Sequence, residues 1–368
     1  MKFSVDRQKL CEAVSHFSRA VAVKSTIPAL EGILLSAEGN KLTMYAYNLE
    51  LGMTKTLDIK GYEDGDIIVN AKLFGDIIRS MPQDTIDISV DERLMCHIKS
   101  GSASFDIMGI ASSEFPEMPS NNDGVQITLP SDVLKNMVRE TIFAVAQNDA
   151  KPVHTGILFE AEPNLLRLVA VDGFRLAVRQ EPIVNDKQLS FVVSGKAIGE
   201  AVKIIGEEVE NINIKVGRRH VSFEISGYVL ISRLLEGEFL KYQSIIPEQT
   251  TTKVKVNCSE LANTVERISL IISDRIKTPV RCTINEEEML LSCVSTLGKS
   301  QDSCPVAFEG EELNIGFNSR FLLDALRAVE ADEIVMKFNG PLAPMIIEPV
   351  EGNEFLYMIM PMRIRNEN

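Results

Sequence analysis

The sequence predicts an α+β protein built from three tandem copies of one unit, each unit a β-α-β-β-β pattern used twice. Three observations carry this. First, "IIVNAKLFGDIIRSMP" from Ile67, "FVVSGKAIGEAVKIIG" from Phe191 and "NIGFNSRFLLDALRAVE" from Asn314 align without gaps. Lys72, Lys196 and Arg320 stand 124 residues apart at each step, as do Asp76, Glu200 and Asp324, and Arg79, Lys203 and Arg327. Second, other landmarks keep the period: "GILLSAEGNKL" from Gly32 matches "GILFEAEPNLL" from Gly156, and "EFP" at Glu114 matches "EFL" at Glu238, while the third copy has the more diverged "VRCTINEEEML". Third, the same order of strand and helix patterns recurs in every copy. A fixed period of this kind decides the fold before any local motif does.

Each copy opens on a short alternating strand, "KFSV", "VQITL" or "KVKV". An amphipathic helix follows: "DRQKLCEAVSHFSRAV", "SDVLKNMVRETIFAV" or "SELANTVERISLII". Ser131 and Ser259 are expected N-caps, because each precedes apolar residues at helical spacing. Alternating strands come next, then the charged helix that carries the repeat, then further strands such as "DTIDISV" and "NINIKV". One helix cannot cover a sheet on both sides, so the two helices of a copy should pack on one face. The polar, turn-forming stretches "SNNDG" and "PEQTTT" place the boundaries, giving domains at 1–124, 125–250 and 251–368.

A chain of 368 residues, 45% hydrophobic and 24% charged, has the composition of a well-packed soluble protein of more than one domain. The N-terminal "MKFSVDRQKL" breaks into charge at once and no apolar run is long enough to cross a bilayer, so a cytoplasmic location is expected and no membrane partner. The six cysteines form no CxxC pair and the four histidines are scattered, so no metal is expected and the thiols read as reduced packing residues.

Charge is unevenly spread. In the repeated helix the basic, acidic and basic residues lie at i, i+4 and i+7, on one stripe. For a single helix, a solvated face with local ion pairs would explain them. Yet the six helical segments 6–24, 71–80, 131–147, 195–205, 259–277 and 318–329 hold 15 basic and 10 acidic residues, against 23 and 42 in the rest of the chain. A net charge of −14 argues against an ordinary nucleic-acid binder, but basic helices on an acidic body suit a surface that meets phosphates weakly and without reading bases.

Three equal units, a basic helical face, and the segments "VDGFRLAV" from Val171, "EGEFLKYQSIIP" from Glu236 and "IMPMRI" from Ile359 together resemble the bacterial DNA polymerase III β subunit family of sliding clamps. The resemblance covers the whole chain. It implies the DNA clamp fold: a head-to-tail homodimer closed into a ring, helices lining a central hole, sheets outside, and duplex DNA threaded through. It implies no catalysis and no cofactor. The residues agree, since no phosphate loop, metal spacing or Ser/His/Asp set is present, and "VDG" reads as a hairpin turn rather than a catalytic aspartate. Implied partners are the DNA polymerase III alpha subunit, the clamp loader and other proteins that carry a clamp-binding peptide.

The chain ends in the apolar "MIMPMRIRNEN". By resemblance it floors a partner-peptide pocket with Met358, Met360, Pro361, Met362, Arg363 and Ile364, while Val171, Gly173, Phe174, Arg175, Leu176, Leu240 and Ile245 form the wall. Methionine suits such a floor because its unbranched, polarizable side chain re-packs around different ligands. Tyr357 and Ile359 are expected to face the core. Val171 and Leu240 depart from the threonine and proline common in the family, and Arg365–Asn368 trails past the usual end. DNA-facing positions carried over are Lys24, Lys72, Gln147 and Lys196, and the repeat adds Arg79, Lys203 and Arg327. Phe105 and Ile107, on an edge strand, match the apolar subunit contact to Ile271 and Ile272. A different reading is a repeat-built, peptide-binding scaffold without a DNA role, which would not need the helical stripe.

Overall fold

The computed structural model describes residues 1–364 apart from 122, 149, 209 and 273–277. Its α-helices are α1 (Arg7–Phe17), α2 (Ala71–Ser80), α3 (Ser131–Ile142), α4 (Gly195–Val202), α5 (Cys258–Ser269) and α6 (Ser319–Ala328). α2, α4 and α6 begin at Ala71, Gly195 and Ser319, so the 124-residue period of the sequence is also a period of structure. Each copy runs through β-α-β-β-β twice. The first and third add one short strand, Lys60–Glu63 and Ala307–Gly310, which pairs with the opening strand of its copy, Lys2–Asp6 or Thr252–Asn257.

The helix starts follow local chemistry. The Asp6 carboxylate accepts from the Lys9 amide at 2.9 Å, and the Asn70 and Asn318 side chains accept from Leu73 and Arg320 at 3.0 Å, each satisfying an amide that the helix leaves unpaired. Two expected caps are corrected. Asn257, not Ser259, caps α5 by accepting from Glu260, because the helix begins two residues earlier than the apolar spacing implied. Ser131 is the first residue of α3, and its hydroxyl accepts from the Glu210 amide at 3.1 Å.

The chain divides into two compact units. The first, residues 1–132 and 196–234, holds a five-stranded and an eight-stranded sheet. In the larger one the middle copy joins the first where Tyr228–Arg233 pairs with Leu51–Asp58. α1 packs on α2, closely enough that a Cβ on Gly75 would lie 3.2 Å from Val14. The second unit, residues 133–195 and 235 onward, holds a nine-stranded and a four-stranded sheet. There Arg175–Glu181 pairs antiparallel with Phe355–Ile359, placing Leu176 opposite Met358 and Ala177 opposite Tyr357. α5 packs on α6.

Alternation along the strands buries one face. Phe3, Val5, Ile86, Ile88, Cys96 and Ile98 line the inner side of the five-stranded sheet. Burying side chains of this size stabilises by about 1.5–3 kcal/mol each. Tyr357 and Ile359 are fully buried, as expected from the sequence. The six cysteines are free thiols, and all but Cys11 are buried. Burial pushes the thiols of Cys96, Cys282 and Cys304 up to about 12 and that of Cys258 up to about 11.

The exit from each copy repeats one further contact. Ile68 and Ile110 exchange backbone hydrogen bonds at 3.0 and 2.9 Å, Leu235 donates to Val192 at 3.0 Å, and Met362 donates to Gly316 at 2.7 Å. Ile68, Val192 and Gly316 are again 124 residues apart. The apolar tail is therefore the third version of the connector that leaves the first two copies. At Gly316 a Cβ would stand 2.9 Å from both the Met362 carbonyl and Ile364, so only glycine lets the tail lie this close.

Candidate functional site

Val171, Leu176 and Met358 lie in one buried apolar cluster on the nine-stranded sheet, together with Leu158, Val169, Val178, Val192, Tyr242 and Ile346. Leu240 packs against it from the connector, beside Leu235, Phe239 and Ile246. Strand register causes the convergence. Val171 is opposite Leu176 across the hairpin, and Leu176 is opposite Met358 across the seam, so all three point to the same face. Leu158 and Ile346 complete the cluster but carry no signal in the sequence, since each lies in an ordinary strand. Ile245 is not part of it. Its side chain is turned outward and its neighbour Ile246 takes the packing position.

The hairpin turn at "VDGF" is as expected. Gly173 has φ +83°, a conformation glycine adopts without strain, and the Asp172 carboxylate accepts from the amides of Phe174 and Arg175 at 3.0 Å. Phe174 is 60% exposed and its ring stacks on Phe321 with centroids 6.1 Å apart. Its carbonyl accepts from the Met360 amide at 2.8 Å, which ties the turn to the tail. Met360 is exposed, Pro361, Met362 and Ile364 are half-buried along the Leu313–Phe317 strand, and Arg363 is exposed.

One expected wall residue is corrected. Arg175 is only 8% exposed and presents no free guanidinium. It donates to Asp172 at 2.9 Å and to Asp324 of α6 at 2.7 Å, with its guanidinium 4.5 Å above Phe321 and 5.5 Å from Phe143. A buried guanidinium is stable only when its donors are paired, so this side chain braces the turn from below. Asp172 is three residues away, but Asp324, Phe321 and Phe143 lie far off in sequence, and no spacing rule could have found them.

The expected DNA-facing side chains are all exposed, and they fall into two groups. Lys24, Lys72 and Lys196 make no ion pair among the described residues, and Gln147 is likewise exposed. Arg79 pairs with Asp76 at 2.5 Å, Lys203 with Glu200 at 2.7 Å and Arg327 with Glu266 at 2.6 Å. For these three the local ion pair is the observed state. Asp324, third in the series after Asp76 and Glu200, instead serves Arg175.

Ala103–Met108 is an outer strand of the five-stranded sheet. Phe105 is 41% exposed there, while Ile107 is 8% exposed. Both side chains point to the inner face, opposite Ile98 and Cys96, and Ile107 sits deeper along the strand. Ile271 and Ile272 are half-buried just after α5, where the Ser295 hydroxyl donates to the Ile271 carbonyl at 2.7 Å. Among the described residues no group of His, Cys, Asp and Glu could hold a metal, and no helix is long and apolar enough to cross a membrane.

Comparison with known proteins covers the chain from end to end. Residues 1–119 match the N-terminal domain, 128–241 the central domain and 243–363 the C-terminal domain of the DNA polymerase III beta subunit. The beta sliding clamp of Halalkalibacterium halodurans is 31% identical, over 99% of this chain and 100% of the relative. The DNA polymerase sliding clamp of Bacillus subtilis has a TM-score of 0.96 at 29% identity, covering 99% of this chain and 100% of that one. The sliding clamp from Bartonella birtlesii, solved bound to griselimycin, has a TM-score of 0.93 at 30% identity, covering 99% and 100%. With all three domains matched in order by a fold this similar, the chain belongs to the DNA polymerase III beta subunit family, the beta sliding clamps.

Proposed function

We propose that this protein is a DNA sliding clamp whose two copies join head to tail in a closed ring around duplex DNA. Its clamp domains are 1–124, 125–250 and 251–368. The ring tethers the DNA polymerase III alpha subunit and other proteins that carry a clamp-binding peptide, is placed on DNA by a clamp loader, and does no chemistry itself. The observation that carries this reading is the pair of exposed lysines Lys72 and Lys196, 124 residues apart near the starts of α2 and α4 and without an ion pair among the described residues. Free cations repeated on helices suit weak, sequence-independent contact with phosphates. A scaffold without a DNA role has no use for them.

Partner peptides bind over the buried cluster of Val171, Leu176 and Met358, against half-buried Leu240, with Gly173, Phe174 and Met360 at the rim and the tail through Ile364 as the floor. Arg175 holds this rim in place. A relative of this fold solved with griselimycin bound supports a ligand site on such clamps. The open Ala103–Met108 edge is the subunit contact, facing the Ile271–Ile272 segment of the other copy, because an unpaired edge strand invites pairing with another chain. Light scattering should give about twice the 40.8 kDa chain mass at micromolar concentration. A monomer at every concentration would overturn the ring.

A further inference from the structure

We propose that a groove of about 450 Å³ beside the peptide face receives the uncharged stretch of partner chain that flanks the docking motif. This inference rests on the peptide reading above and extends it. The floor of the groove is Val178, Tyr242, Ile246 and Leu356, and each of these also packs in the Val171–Met358 cluster. Val178 is opposite Leu356 two residues along the seam from Leu176 opposite Met358, so the groove adjoins the peptide face on the same side of the nine-stranded sheet, and a chain docked there must pass over the groove or turn away from it.

The chemistry of the rim selects what enters. Arg167 lies in the groove, but its guanidinium is spent on Glu162 at 3.1 and 3.3 Å and on Gln180 at 3.1 Å. Glu348 is paired with Lys337. With both charges neutralised from within, the groove offers an ion no partner. What it does offer are the side-chain amides of Gln243 and Asn353, exposed on the rim and without a hydrogen-bond partner among the described residues. Two free amides over an apolar floor match an extended polypeptide, which presents backbone N–H and C=O groups along its edge and small apolar side chains beneath.

The test compares three fluorescein-labelled peptides by anisotropy on the full-length protein. One has the core Gln-Leu-x-Leu-Phe motif, one adds five uncharged residues before it, and one adds five after it. One of the extended peptides should bind about tenfold tighter than the core, as two hydrogen bonds and one apolar contact would give. In the Gln243→Ala/Asn353→Ala variant that gain should vanish while the core affinity stays within about twofold. No gain from either extension, or a gain that survives the variant, would overturn the groove and leave the pocket standing. Failure of the core peptide to bind would overturn the pocket, and the groove proposal with it.

Discussion

Arg175 donates to Asp324 across 149 residues of chain at 2.7 Å, binding the turn that carries Gly173 and Phe174 to the helix that carries Arg320 and Arg327. In α2 and α4 the matching acid pairs with the basic residue one turn on. In α6 it is redirected to Arg175, beneath the Gly173–Phe174 turn. Asp324→Ala should therefore destabilise the second unit by about 1.5–3 kcal/mol, the range for a hydrogen bond to a charged group. Peptide affinity should fall with it, since Phe174 loses its support. Asp76→Ala, which breaks only an exposed pair, should change stability by no more than about 1 kcal/mol. Urea titrations of the two variants check this, and equal losses would contradict it.

Deleting residues from Met360 onward removes the Met360–Phe174 and Met362–Gly316 hydrogen bonds and uncovers the Leu313–Phe317 strand. Binding of the core peptide should drop beyond detection while sedimentation still shows a dimer. The segment Arg365–Asn368, outside the described residues, lies past the matched motif, and its removal alone should leave affinity unchanged. Unaltered affinity in the longer deletion would make the tail a packing element only.

At the open edge, Phe105→Asp and Ile107→Asp should fail in different ways. Phe105 is partly exposed, so an aspartate there should leave a folded monomer. Ile107 is buried against its own sheet, and a carboxylate there has no partner, so thermal unfolding should shift to much lower temperature. A Phe105→Asp protein that remained dimeric at low micromolar concentration would remove this strand from the interface.

The thiols give an independent check on the core. At pH 8 a thiol held near 11 or 12 is protonated and inert, and Cys258, Cys282 and Cys304 are also shielded. Iodoacetamide should add at most one group to the native protein, at half-buried Cys11, and five more after denaturation. Rapid native labelling at several sites would show a looser interior than the one described.

The repeat made much of this legible in advance. A charge triad with a fixed period identified α2, α4 and α6, and the exposure of Lys72 and Lys196 followed from their place on the stripe. Val171, Leu176, Leu240 and Met358 stand in the quoted motifs; strand register brings Val171, Leu176 and Met358 together, and the connector lays Leu240 against them. Other features were hidden for physical reasons. In "ASFDIM" Phe105 and Ile107 share one face, and alternation does not say that the sheet covers Ile107 while leaving Phe105 partly open. Arg175 reads as a surface cation until Asp324 and Phe321 are folded against it. Ile245 and Ile246 are equivalent in sequence, and only the path of the connector decides which one packs. The role of Gly316 depends on a tail that returns to it from 46 residues on.

A closed ring holds DNA by topology, and its release from circular and linear DNA reads this directly. Labelled clamp is loaded on a nicked circular plasmid by its loader and isolated by gel filtration, and its release is followed across a range of salt before and after a restriction enzyme opens the circle. A closed ring that touches DNA weakly should stay on the circle through high salt and leave quickly once an end is made. Release at one rate, with one salt slope, from circular and linear DNA alike is the behaviour of a simple electrostatic binder, and would contradict a closed ring.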